Sequence, residues 1–141
     1  LMNILQVRKE DVDLVFPKVR VYLDKAARLS GGRFTIDEIY DNLRSNKLEQ
    51  QLWVAFTDTE VVAAAVTEII AYPRVKSVMG HFIGGKDLES WKQPIVDALA
   101  DFGKSNGCDR IEFMGRRGWA KPLKQIGWKE TYYHYEYSLE K

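Results

Sequence analysis

From Glu10 to Ser30 apolar residues return every third or fourth position, at Val12, Val15, Val19, Tyr22, Leu23, Ala26 and Leu29. That is the spacing of a helix with one buried face. Pro17 interrupts the run and predicts a late start or a kink, and Ser30-Gly31-Gly32 predicts its end. Thr35-Ile-Asp-Glu38 has the form of a capping box. A second helix follows from it, running to about Ser45 with Ile36, Ile39, Tyr40 and Leu43 inward.

The pattern then changes period. Asn3 to Val7, Gln51 to Phe56, Val61 to Ala71 and Val75 to Ile83 are short apolar or alternating runs, the last three separated by turn residues around Asp58-Thr59-Glu60 and Tyr72-Pro73-Arg74. They predict a first strand and an antiparallel meander. Beyond Gly84-Gly85, Trp91, Ile95, Ala98, Leu99 and Phe102 mark one face of a third helix that Gly107 stops. Pro94 fits only near a first turn, which places the start of regular helix near Ser90. Asp109 to Met114 reads as a strand, Ala120 to Ile126 as a short helix stopped by Gly127. From Thr131 onward, Tyr133, Tyr135, Tyr137 and Leu139 alternate with more polar neighbours, which predicts a last strand with one buried face. The expected order is β-α-α-β-β-β-α-β-α-β, a mixed-sheet α/β domain spanning residues 2–141.

Composition narrows the function classes. The chain has 141 residues, with 21 Lys and Arg against 20 Asp and Glu, a net charge of +1. Bulk attraction to nucleic acid or an anionic membrane is not expected from that balance. The most apolar run, Val61 to Ala71, contains Thr67 and Glu68 and is too short to span a bilayer. Cys108 is the single cysteine, so neither an internal disulfide framework nor a cysteine metal cluster is available. His81 and His134 lack metal-ligand spacing, and no metal is expected. A cytoplasmic setting follows as the default.

Leu52-Trp-Val-Ala-Phe56, Val62-Ala-Ala-Ala-Val-Thr-Glu68, Gly107-Cys108 and Gly115-Arg-Arg-Gly-Trp119, taken with the element order, resemble the GNAT (N-acetyltransferase) superfamily. The resemblance runs from about Glu10 to Leu139. The segment from Gly115 through Leu123 to Gly127-Trp128 looks most like small GNAT-like proteins of tailed bacteriophages. The resemblance implies acetyl-CoA as cofactor, with its pyrophosphate held where the fourth strand enters the crossover helix, by the physics of a helix-end anion site. Gly84, Gly85 and Lys86 fall there, and Arg116 and Arg117 can clamp a phosphate or a partner's carboxylate. Glu68 and His81, on neighbouring strands, are the candidate catalytic bases for an amine.

Two features depart from the active pattern. Asp87 and Glu89 put negative charge beside the phosphate position, and Leu123 stands where active relatives carry a tyrosine that protonates the departing thiolate. These departures favour a degenerate acyl-transfer apparatus and a binding role, as a virion-associated component or a modulator of a host protein. The alternative is an active acetyl-CoA-dependent N-acyltransferase. A tyrosine-rich last strand near a sheet edge also offers pairing with a second copy.

Overall fold

A computed structural model describes residues 1–45 and 47–140. Five strands form one sheet in the order β1 (Asn3–Val7), β2 (Gln51–Phe56), β3 (Val61–Ala71), β4 (Lys76–Gly85) and β5 (Arg110–Phe113). The first four are antiparallel to their neighbours, and β5 runs parallel to β4. A parallel pair needs a long crossover, and α3 (Leu88–Ser105) supplies it. The mixed α/β architecture expected from the sequence is therefore the observed one.

The sheet is buried on both faces, which is why β2 and the first part of β3 read as continuous apolar runs rather than alternating ones. One face is covered by α1 (Val12–Arg28) and α2 (Ile36–Ser45), whose Phe16, Val19, Leu23, Ile39 and Leu43 meet Leu52, Val54, Ala64, Val66 and Phe82. The other is covered by α3, whose Trp91, Ile95 and Leu99 meet Trp53, Ala55, Val62, Ala63 and Ala65. Small alanines on β3 leave room for the indole rings opposite them.

Local signals account for most of the helix ends. The Thr35 amide donates to Glu38 Oε1 at 2.9 Å, and the Glu38 amide donates to Thr35 Oγ1 at 3.2 Å, so the capping box forms as the sequence predicts. Thr35→Ala is expected to cost about 1 kcal/mol in urea denaturation, with no change in fold by circular dichroism. Gly107 (φ +72°) ends α3 with Cys108 N–H bonded to Gly103 O and Gly107 N–H to Lys104 O. Gly127 (φ +92°) ends the region of α4 (Ala120–Lys124) with the same two-bond pattern to Leu123 and Lys124.

Four expectations are corrected. Pro17 lies inside α1 rather than at its start; it is exposed, so water can serve the carbonyl its missing N–H leaves free. β4 extends through Gly84 and Gly85 instead of stopping at Ile83, because both glycines keep sheet register with Ala64 and Ala63. α3 starts at Leu88, not near Ser90, with Pro94 inside it. The last strand does not form: no strand follows β5 among the described residues, and Tyr132, Tyr133, Tyr135, Tyr137 and Leu139 are all exposed. Alternation marks a segment able to make a strand, but a strand forms only where the chain carries the segment to a sheet edge. After α4 and the Gly127 stop, the chain instead reaches the α1–α2 turn, where Arg33 contacts His134 Nε2 at 3.2 Å and Glu136 at 3.4 Å.

Candidate active site

β3 and β4 keep regular register up to Val66–Phe82 and then shift, with Thr67 opposite Gly80. His81 is the extra residue, and the bulge re-aims its side chain. Its Nε2 lies 2.9 Å from Glu68 Oε1, with both side chains about a quarter to a third exposed (30% and 25%). An ionised carboxylate only accepts hydrogen bonds, so a neutral His81 donates through Nε2–H and keeps a lone pair on Nδ1. Glu68 sits two residues from Val66 and four from Ala64, so alternation puts the pair on the α1/α2 face of the sheet.

β5 pairs with β4 only along Ser77–Gly80. From His81 to Gly85 the β5 side of β4 has no strand neighbour among the described residues, because β5 ends at Phe113 and the chain leaves the sheet. Alternate backbone N–H groups of this stretch therefore face a gap that opens at the bulge.

At the end of β4 the chain passes through Lys86 and Asp87 directly into α3. Asp87 adopts a left-handed conformation (φ +56°), which aspartate tolerates better than most side chains. No side chain caps this helix end; the Ser90 N–H is bonded to the Asp87 carbonyl at 2.8 Å, which leaves the N–H groups of Leu88 and Glu89 for an anion. The glycines contribute differently from an open cradle. A Cβ on Gly84 would lie 2.5 Å from the Tyr22 carbonyl oxygen, and one on Gly85 would lie 2.5 Å from Ala63 Cβ. Their missing side chains thus let α1 and β3 approach β4. Lys86 Nζ is paired with Glu60 at 2.5 Å, and this hydrogen bond and attraction raise its pKa above the ordinary lysine value. An incoming phosphate has to compete with Glu60 for that ammonium.

Trp91 anchors the loop: its Nε1 donates to the Lys86 carbonyl at 2.7 Å. Trp119 packs edge-on against Trp91 with ring centroids 6.4 Å apart. The Gly115-Arg-Arg-Gly-Trp turn, and with it exposed Arg116 and Arg117, is thereby held beside the start of α3. Neither arginine has an ion-pair partner among the described residues. The sequence assigned the loop and the turn to one cofactor; the contact between the two indoles sets the turn against the helix that follows the loop.

Several polar residues acquire a place that no sequence signal gave them. Lys92 is buried, its Nζ donating to Glu89 at 2.9 Å and to Gln125 at 2.8 Å, which ties α4 to α3. Ser77, fully buried on β4, donates to Glu112, which also receives Arg110 Nε at 3.3 Å. Trp53 Nε1 donates to buried Thr67, and Thr67 donates to Gln51, both at 2.8 Å. Period-2 alternation predicts which face such residues share, but not that a buried hydroxyl waits there. Leu123 is half-buried in α4.

A histidine on a bulge thus meets a carboxylate where β4 parts from its parallel neighbour, and β4 runs on into a helix end that no side chain caps. The chain has the GNAT acetyltransferase fold. It is similar to a predicted acetyltransferase with acetyl-CoA from Clostridium acetobutylicum, at 17% identity and TM-score 0.68 over 99% of this chain and 97% of the other. It is similar to a ribosomal-protein-alanine N-acetyltransferase from Brucella melitensis biovar Abortus, at 14% identity and TM-score 0.70 over 99% and 100%. An aminoglycoside acetyltransferase from an uncultured soil metagenomic sample gives 13% identity and TM-score 0.72 over 99% of each chain. No family profile and no curated protein matches this sequence. Identities this low establish the GNAT fold and leave reaction and substrate to the site itself.

Among the described residues, no helix is long and apolar enough to cross a membrane. Among the described residues, no group of three His, Cys, Asp or Glu side chains is placed to hold a metal ion.

Proposed function

We propose that this protein is an acyl-CoA-dependent N-acyltransferase acting on an amine. The observation that carries the reading is the Glu68–His81 pair, 2.9 Å apart at the β4 bulge beside the β4–β5 gap. Bound acyl-CoA supplies an activated acyl thioester. Uncapped N–H groups at the start of α3, with Arg116 and Arg117 beside them, suit its phosphates. Backbone N–H groups on the side of His81–Gly85 that β5 does not pair with would offer hydrogen bonds to a thioester carbonyl bound in the gap. His81 Nδ1 takes the proton of the attacking amine, and Glu68 stabilises the imidazolium that results.

The late helix start that Pro94 suggested would have moved the helix end away from Gly84 and Gly85. With α3 starting at Leu88, three residues past Gly85, that displacement is absent. The negative charges of Asp87 and Glu89 at the helix end remain, as does Leu123, which cannot serve as an acid. A thiol, with a reference pKa of about 8.5, is a tolerable leaving group as its anion, so losing the acid slows transfer without forbidding it.

Calorimetry with acetyl-CoA tests the reading. Micromolar binding is expected, weakened about 10-fold or more by Lys86→Glu or Arg117→Glu. Absence of heat at millimolar acetyl-CoA would leave the second reading, a fold kept for binding a host protein or a phage particle. Leu123 and the internal packing of Gly84 and Gly85 are the observations on its side. Thiol release in the presence of an amine panel then separates an enzyme from a mere acyl-CoA binder.

A further inference from the structure

On the α1/α2 face of the sheet, a row of side chains runs from Glu68 across β4 to β5. Glu68 stands opposite Met79, and Met79 opposite Glu112. Residues directly opposite on adjacent strands share a face, so a carboxylate stands on either side of Met79. Contacts on the other face agree. Val78 lies against Gly103 of α3, and Phe113 packs edge-on against Trp119, which turns their neighbours Ser77, Met79 and Glu112 away from α3. Two strand spacings, about 10 Å, separate Glu68 from Glu112 along the row. Glu112 is the last residue but one of β5, so it borders the gap that opens beside His81.

The bonding of Glu112 leaves it one open oxygen. The fully buried Ser77 hydroxyl donates to Oε2 and holds the carboxylate in place. Arg110 Nε reaches the same Oε2 at 3.3 Å from a side chain that is 57% exposed, a surface pair that contributes little against a competing cation. Oε1 accepts no hydrogen bond among the described residues, and it is not among the buried polar atoms left without a partner, so it faces solvent. Met79, half-buried between the two carboxylates, supplies an apolar floor.

We infer that the acceptor is a terminal diamine, an inference that rests on the N-acyltransferase reading. One amine enters beside His81, the methylene chain crosses Met79, and the distal ammonium bonds Glu112 Oε1. A fixed carboxylate with an open oxygen makes a charge-assisted hydrogen bond to an ammonium. A thioether side chain adapts readily to a flexible methylene chain. A monoamine of equal length gains the chain contact alone. In the transfer step the near nitrogen bonds to the acyl carbon, the C–S bond breaks and CoA leaves as its thiolate, while His81 Nδ1 takes the proton from the nitrogen. The product keeps its distal ammonium. Turned end for end, it offers Glu112 only a neutral amide, so mono-acylation is favoured over diacylation.

Steady-state transfer from acetyl-CoA to diaminohexane and to hexylamine is the test, read by thiol release and by the mass of the product. The KM for diaminohexane is expected to lie about 10-fold below that for hexylamine, the scale of one hydrogen bond to a charged group. Diaminoethane, too short to reach Glu112 from His81, should gain nothing over ethylamine. Glu112→Gln can still accept from Ser77 but presents no charge. It should raise the KM for diaminohexane about 10-fold at nearly constant kcat and erase the preference, with unchanged circular dichroism. Equal KM values for the two hexyl substrates, or a preference that survives Glu112→Gln, overturn the inference and leave acyl transfer standing. A parallel fall of kcat on both substrates in Glu112→Gln overturns it too, and makes Glu112 a structural partner of Ser77. Absence of thiol release with every amine overturns the N-acyltransferase reading and this inference with it.

Discussion

Trp91→Ala should lower the stability of this protein by about 4 kcal/mol, within the range for truncating a buried tryptophan. Trp91 is 1% exposed and the largest of the fully buried side chains. Its removal leaves a cavity bordered by Ile95, Leu99 and the β3 alanines, and it orphans the Lys86 carbonyl. For a chain of this length the loss corresponds to a melting temperature lower by roughly 12 °C. Trp91→Phe keeps most of the packing but not the hydrogen bond, and is expected to cost about 1–2 kcal/mol. The two variants therefore separate volume from the bond that fixes the loop, measured by thermal and urea denaturation. The indole also holds Trp119 and the arginine turn, so acetyl-CoA binding should weaken more in Trp91→Ala than its residual folded fraction explains. Equal stability of Trp91→Ala and the parent would mean that the α3 face is not packed as described.

His81→Ala is expected to reduce acyl transfer by about 1000-fold, in the middle of the range for a positioned general base. Glu68→Gln should reduce it by about 100-fold, because the amide can still orient the ring but no longer stabilises the imidazolium. The two side chains act as a unit across 2.9 Å, so the double variant should be little worse than His81→Ala alone. Both lie away from the start of α3, and neither substitution should move the acetyl-CoA affinity by more than about twofold. Turnover and calorimetric affinity measured on the same preparations decide the matter. A rate unchanged in His81→Ala would remove the pair from the chemistry, while affinity and rate falling together would indicate a structural role instead.

Much of this molecule is written locally. The capping box at Thr35–Glu38, the two glycine stops at Gly107 and Gly127, and the apolar faces of α1, α2 and α3 depend on spacing within one or two turns, and all of them are observed. The basic turn around Arg116 and Arg117 and the candidate base pair Glu68 and His81 were visible as residue types on the right elements. Their relationship was not. Whether a carboxylate on one strand meets a histidine on the next depends on the register shift at Thr67–Gly80, a single extra residue that no pattern of apolar positions announces.

The same limit explains the corrections. Pro94 suggested a late helix start because a lone proline disfavours helix interior, yet a helix anchored by buried Trp91, Ile95 and Leu99 carries it. Gly84 and Gly85 suggested a phosphate loop by residue type alone; that they also let Tyr22 and Ala63 approach β4 depends on packing the sequence does not announce. The tyrosine-rich terminus has the alternation of a strand and no strand partner among the described residues. The sequence by itself determined the helices, the meander and the chemistry carried on each element, because those follow from local period and capping. Only the tertiary structure decided where α3 begins, which side chains converge at the bulge and which edge stays open, because these depend on register and packing between elements far apart in the chain.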